Sequence, residues 1–111
     1  MSRLLFKRTI LISFLLGVFI FQTLPISAPS KIIGLDKIVH FFIYFFLTFL
    51  FWWNNFSLKE AIIYSILYGI LMELVQIPIP KRDVSFFDFL ANCLGTFTFV
   101  VSLKYTKTKS E

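Results

Sequence analysis

Charged residues are scarce in this 111-residue chain, where they make up only 15% of the sequence. An average soluble domain is about 25% charged and about 45–50% apolar, whereas 58% of this chain is hydrophobic. Such a chain has too little polar surface to cover a soluble core, so its composition indicates a membrane protein. Cysteine is nearly absent as well. Cys93 is alone, which excludes an internal disulfide framework and a cluster of thiol metal ligands.

The motifs of common catalytic and cofactor sites are also missing. The chain has no nucleophile elbow, no metal-ligand spacing and no glycine-rich loop that would hold a phosphate. We therefore expect no cofactor and no metal. The net charge is +5, but the basic residues lie at the ends of apolar segments and not in one patch. We therefore expect no nucleic acid partner.

Four apolar segments follow one another along the chain, and short loops join them. Each is about 16–20 residues long, close to the about 20 that cross a membrane as a helix. We predict helices at residues 9–24, 37–53, 58–77 and 86–103. The fold class is then all-α, with residues 1–111 forming one polytopic membrane domain of four transmembrane helices in an antiparallel bundle.

The first segment also has the basic start of a signal peptide. We favour its retention as a helix, because Ile26 stands where a cleavage site needs a small residue and Pro29 would follow the cut. With the N-terminus inside, seven lysines and arginines fall on the cytoplasmic side and four on the outer side. This excess predicts that both termini are cytoplasmic. The expected surroundings are the lipid bilayer, and no oligomeric state is indicated.

Three polar pairs lie near the helix ends that this orientation places at the outer face. They are Asp36 with His40, Glu73 with Gln76, and Asp88 with Asn92. The members of each pair are three or four residues apart, so they share a helix face. Arg82 lies in the loop between the last two pairs. Ionisable groups are costly in hydrocarbon, so we interpret these seven residues as a binding site, with His40 and Glu73 as candidate catalytic residues.

A structural alternative accounts for the same residues one at a time. Asp36 and Asp88 are good helix caps, and Ser57 followed by Glu60 predicts a capping box at the third helix. Glu73 and Arg82 then form an ion pair. The remaining polar groups act as hydrogen bonds between helices.

The polar segments resemble the VanZ-like family of bacterial membrane proteins. The resemblance lies in DKIVHFFIY, ELVQ and PKRDVSFFDFLANCLG, and it covers the second to fourth helices, about two-thirds of the chain. Lys81 departs from the glycine that many relatives have before the arginine. The resemblance implies a multi-pass protein of the bacterial plasma membrane, in a family whose founding member is associated with tolerance of glycopeptide antibiotics such as teicoplanin.

Three functions are compatible with the sequence. The first is a binding protein of the cell envelope, in which Arg82 and Lys81 pair with a phosphate or carboxylate of a lipid-linked or cell-wall precursor. The second is an intramembrane hydrolase or transferase, in which Asp36 or Glu73 orients His40 as a general base. The third is a structural bundle without a ligand.

Overall fold

The fold is all-α in the computed structural model of the protein, which describes residues 2–23, 35–78 and 86–110, without the side chains of residues 2, 35, 36 and 107–110. The four helices of these segments are α1 (Ser2–Thr23), α2 (Leu35–Trp53), α3 (Leu58–Gln76) and α4 (Phe86–Ser110). All four agree with the predicted segments. However, α1 begins earlier and α4 ends later, because their basic flanks continue the helix beyond the apolar residues.

The turn between α2 and α3 is defined by local hydrogen bonds. Phe56 N donates to Phe51 O and Asn55 N donates to Trp52 O, which closes α2 in a Schellman motif with Asn55 at φ 73°. The predicted capping box is confirmed at the start of α3. There, Glu60 N donates to Ser57 Oγ at 3.1 Å and Ser57 N donates to Glu60 Oε1 at 2.9 Å.

Consecutive helices run antiparallel, so the bundle has two distinct ends. We call the end with Gln22, His40, Gln76 and Asn92 the polar end, and the end with Lys7, Arg8 and Asn54 the basic end. The end of α1, the start of α2, the end of α3 and the start of α4 all meet at the polar end.

The most extensive helix contact joins α2 and α4, which run parallel to each other. Their closest approach is at Gly95, where an added Cβ would lie 2.1 Å from the backbone oxygen of Phe41. Only glycine allows this separation of the two backbones. Among the described residues, α1 packs on α2 and α3 and not on α4.

The distribution of polarity differs from that of a typical soluble protein, because many large apolar side chains are exposed and several polar ones are buried. Large apolar side chains are exposed on every helix, whereas the polar or charged side chains that are buried in the described part are Gln22, His40, Thr48, Asn54, Ser65, Gln76, Asp88, Asn92 and Thr96. Two helices, α1 over Arg3–Thr23 and α4 over Phe86–Thr106, are long and apolar enough to cross a membrane. These properties fit association with a membrane.

Between the two ends, an apolar core fills the half of the bundle nearer the basic end. Its buried members come from the first three helices and include Leu11, Leu47, Leu50, Phe51 and Ala61. Five of the buried polar side chains, Gln22, His40, Gln76, Asp88 and Asn92, lie at the polar end, which is where a site can form.

Replacement of Gly95 by alanine tests the contact of α2 with α4. We expect Gly95→Ala to lower the free energy of unfolding by roughly 1–3 kcal/mol or more, because the backbones must separate. Gly17→Ala is the matched control. An added Cβ there meets no atom within 4 Å, so better helix propensity should stabilise the protein by about 0.5–1 kcal/mol.

The measurement is denaturant unfolding in detergent, followed by far-UV circular dichroism. Equal stability of the two alanine variants would contradict the contact.

Candidate functional site

A buried histidine lies at the centre of the polar end. His40 Nδ1 is 3.0 Å from Asn92 Oδ1 and 3.4 Å from Gln22 Nε2. All three side chains are buried. This arrangement joins α1, α2 and α4 through one imidazole nitrogen.

That nitrogen cannot satisfy both amides at once. A ring nitrogen of a neutral imidazole carries either a hydrogen or a lone pair. It can donate to Asn92 Oδ1, or it can accept from Gln22 Nε2. One of the two amides therefore keeps hydrogen-bonding capacity that His40 does not use.

The third helix joins the site through Gln76. Its Nε2 donates to the backbone oxygen of Gln22 at 2.8 Å. The last carbonyls of a helix have no partner within the helix, so Gln76 supplies the donor that α1 lacks at its end. All four helices thus meet in one group of side chains.

Several buried polar atoms at this end have no hydrogen-bond partner among the described residues. They are Gln22 Oε1, Tyr44 Oη and Asn92 Nδ2. The Tyr44 hydroxyl lies close to the Gln22 amide and within electrostatic range of Glu73. A buried polar atom without a partner costs about 1–3 kcal/mol. Their concentration here gives the site both donors and acceptors for a small polar group.

A glycine on α3 makes room for these side chains. A Cβ added at Gly69 would lie 3.3 Å from both Asn92 Nδ2 and Tyr44 Cε2. The α3 backbone therefore forms one wall of the site, and any larger residue there would press on both groups. Together Gln22, His40, Tyr44, Gln76 and Asn92 form what we call the polar cluster.

An ion pair lies one helical turn from the polar cluster. Lys37 Nζ is 3.3 Å from Asp88 Oδ1, and Asp88 is buried. Asp88 lies within the first turn of α4, where the helix dipole favours a negative charge. The Lys37 side chain is 39% exposed, so it presents a cation at the surface.

An open apolar groove begins at this ion pair. It has a volume of about 290 Å³ and lies between α2 and α4, lined by Lys37, Ile38, Phe41, Phe42, Ala91 and Leu94. Ligand pockets span about 300–1,000 Å³, so the groove is large enough for one narrow apolar group. Its single polar lining residue is Lys37.

Three hydroxyl groups form a second polar contact deeper in the bundle. Thr48 Oγ1 is 2.7 Å from Tyr44 O, 2.9 Å from Ser65 Oγ and 3.0 Å from Thr96 Oγ1. One hydroxyl has one hydrogen. If Thr48 donates to the Tyr44 carbonyl, then Ser65 and Thr96 donate to Thr48. This contact joins α2, α3 and α4.

The structure brings most of the sequence-derived site residues to one end of the bundle. His40, Gln76 and Asn92 belong to the polar cluster. Asp88 pairs with Lys37. Glu73 is half-buried with Oε2 shielded from solvent. Arg82 lies outside the described residues, and so does the side chain of Asp36.

Sequence reasoning did not single out Gln22, Tyr44 or the three hydroxyl residues as parts of the site. Gln22 had a detectable signal, because it is an amide near the end of an apolar segment. The hydroxyls had none, since serine and threonine commonly bond to their own helix.

Among the described residues, the hydrogen-bond partners of His40 are amides, and His40 makes no hydrogen bond to Glu73. No group of three or more His, Cys, Asp or Glu residues in the described part could hold a metal ion.

A double-mutant cycle tests the contact of His40 with Asn92. We expect a coupling free energy of about 0.6 kcal/mol, and up to about 1.7 kcal/mol, between His40→Ala and Asn92→Ala, as for other hydrogen bonds between membrane helices. The control cycle combines His40→Ala with Asn54→Ala, about 21 Å away along α2 at 1.5 Å per residue. Those two effects should add within about 0.3–0.5 kcal/mol. Unfolding in detergent measures both cycles, and equal coupling in the two would argue against the contact.

Comparison with known proteins finds a similarity to an uncharacterized protein of Schizosaccharomyces pombe. The two are 34% identical over an alignment of 83 residues, and the alignment covers 68% of this chain. This chain spans about half the length of that yeast protein, 51%. No protein-family model matches the chain, and no solved structure matches it.

Proposed function

We propose that the chain is a four-span membrane protein whose polar end binds the phosphate-bearing head group of a membrane lipid. The first support is helix length. The helices α2 and α3 have 19 residues each, or about 28 Å at 1.5 Å per residue, close to the about 30 Å of a hydrocarbon core.

Contacts at both ends of α2 support placing all four helices at one depth. Asn54 Nδ2 donates to Lys7 O at the basic end, and His40 lies against Gln22 at the polar end. The apolar helix α1 is therefore aligned with α2 along its whole length. If α1 spans the bilayer, so does α2. The excess of lysine and arginine predicts that the polar end faces outward.

The observation that carries the binding proposal is the pair of buried donors Asn92 Nδ2 and Tyr44 Oη, which have no hydrogen-bond partner among the described residues. Amide and hydroxyl hydrogens are suitable donors to phosphate oxygens. Lys37 adds a cation at the edge of the site. The apolar groove that starts at Lys37 suits the hydrocarbon chain of the same molecule. Arg82, in the loop between α3 and α4, would add a second cation.

The hydrogen bonds of His40 favour binding over catalysis. A general base needs a group that orients and charges the imidazole, and a carboxylate is the usual one. Among the described side chains, which do not include that of Asp36, the ring of His40 instead contacts two neutral amides. These contacts hold the ring in place.

The VanZ-like resemblance supports a role in the cell envelope. The similarity to the yeast protein reduces the number of ligand classes that fit. Fungi do not make peptidoglycan, so a head group shared by bacterial and fungal membranes fits both similarities better than a cell-wall peptide does. Polyprenyl phosphates and phospholipids have such groups. A role in glycopeptide tolerance would then follow from lipid binding in those organisms that make the antibiotic's target.

Thermal unfolding with a long-chain polyprenyl phosphate tests this proposal. A ligand at 100 times its Kd adds about 2.7 kcal/mol of stability, which corresponds to a rise in Tm on the order of 10 °C for a domain of this size. We expect that rise with polyprenyl phosphate in detergent. We expect a much smaller rise with the matching polyprenol, which lacks the phosphate.

Two variants of the site and one control complete this test. Tyr44→Phe and Asn92→Ala remove the two donors, so these variants should fold, as judged by circular dichroism, but should lose most of the rise in Tm. Ser65→Ala removes a buried polar group outside the polar cluster, so it should lower the starting Tm and keep the rise. Equal rises with polyprenol and polyprenyl phosphate would contradict head-group recognition.

A further inference from the structure

Two cations of α1 contact the turn between α2 and α3 at the basic end. Lys7 Nζ lies 5.0 Å from the centre of the Trp53 ring. Arg8 Cζ lies 5.1 Å from the centre of the Phe56 ring. We call these four residues the basic corner. Cations at such distances are attracted to the ring faces.

Asn54 fixes the position of this corner. Its Nδ2 donates to Lys7 O at 3.1 Å and to Leu50 O at 2.8 Å, and its own backbone oxygen accepts from Arg8 Nη2 at 3.3 Å. The Asn54 side chain is fully buried. The start of α1 is therefore held against the end of α2 by two hydrogen bonds, while the bond to Leu50 O fixes the Asn54 side chain on α2.

The positive charge of the basic corner is not neutralised by the described part of the protein. No carboxylate there forms an ion pair with Arg3, Lys7 or Arg8. The acid nearest in sequence to the turn, Glu60, accepts from the backbone of Ser57 in the capping box. The corner thus keeps two positive charges beside an aromatic surface.

The guanidinium group of Arg8 has capacity for another partner. It has five N–H donors in one plane, and the described contacts use one of them, for Asn54 O. The guanidinium lies over the ring of Phe56, and within the described part of the chain its other N–H donors make no hydrogen bond. Arg8 is exposed. An edge with several parallel donors matches the oxygens of a phosphate.

We propose that the basic corner is a binding site for the phosphate of an anionic phospholipid in the leaflet that surrounds the start of α1. This inference rests on the membrane placement in the proposed function, but not on the ligand of the polar end. Arg8 binds the phosphate with the edge of its guanidinium group, and Lys7 supplies the second charge. Trp53 and Phe56 lie at the depth of the lipid head groups, where aromatic rings are enriched.

Tryptophan fluorescence reports directly on this site. The chain has two tryptophans, Trp52 and Trp53, both in the last turn of α2. The protein is reconstituted in vesicles of phosphatidylcholine and phosphatidylglycerol, with bromine on the acyl chains of one lipid or the other. Bromine quenches tryptophan only at short range. Because each cation near a membrane surface favours anionic lipid by roughly fivefold, we expect apparent association with phosphatidylglycerol to be at least about tenfold stronger.

Two double variants with equal loss of charge separate a site from general attraction. Lys7→Gln with Arg8→Gln should bring the preference for phosphatidylglycerol close to one. Arg3→Gln with Lys59→Gln removes the same charge from the same end, but neither residue contacts the aromatic rings, so most of the preference should remain. Arg8→Lys keeps the charge and loses the planar donors, so its preference should be intermediate. Arg8→Lys is also the variant that tests the site if the variant with both Lys7→Gln and Arg8→Gln does not insert into the vesicle membrane.

Three results would overturn the proposal. Equal quenching by the two brominated lipids would leave the membrane placement intact and reject the site. Absence of quenching by either lipid would reject the membrane placement as well. Loss of the preference in excess inorganic phosphate, at constant ionic strength, would show a site for free phosphate and not for a lipid. Survival of the preference under that competition supports the lipid as the ligand.

Discussion

The close approach of α2 and α4 at Gly95 is the constraint on which the rest of the bundle depends. Phe41 O and Gly95 meet backbone to backbone, and this contact fixes the register of two parallel helices. His40 and Asn92 lie on one side of the contact, within one turn of it. Thr48 and Thr96 lie on the other side. A wider separation of the helices would therefore break both sets of hydrogen bonds. It would also separate Lys37 from Asp88 and weaken their ion pair.

The buried polar groups explain why such precise packing is needed. In hydrocarbon, apolar side chains gain little by leaving lipid for protein, so close packing and hydrogen bonds between helices supply the attraction. The apolar core around Leu47 and Ala61 provides packing near the basic end. The amides and the imidazole provide directional contacts near the polar end, and the hydroxyls provide them deeper in the bundle. The two ends of the interior thus have different roles, and the polar end retains two donors, Asn92 Nδ2 and Tyr44 Oη, that a ligand can satisfy.

The sequence predicted those parts of the fold that depend on a local pattern of residue types. The four helices followed from apolar segments, and the capping box followed from Ser57 and Glu60. The three polar pairs were predicted to share one end of the bundle because short loops force consecutive helices to be antiparallel. However, the loops say nothing of which non-consecutive helices touch. The parallel contact of α2 with α4 depends on Gly95 meeting one particular carbonyl, and the part of Gln22 in the site depends on how α1 lies against α2. Such facts belong to tertiary packing, which a single sequence does not display.

The shared nitrogen of His40 indicates how a ligand would act on this structure. Whichever amide the imidazole satisfies, the other retains hydrogen-bonding capacity in a buried environment, and Tyr44 retains its hydroxyl. A phosphate oxygen that accepts from Asn92 Nδ2 and Tyr44 Oη would satisfy these two donors without changing the bonds that hold the helices. Its binding free energy would then come largely from groups that are already buried and already in position, since little side-chain ordering is required. The same reasoning assigns Gly69 a part in recognition, because the α3 backbone at that position keeps Asn92 and Tyr44 side by side.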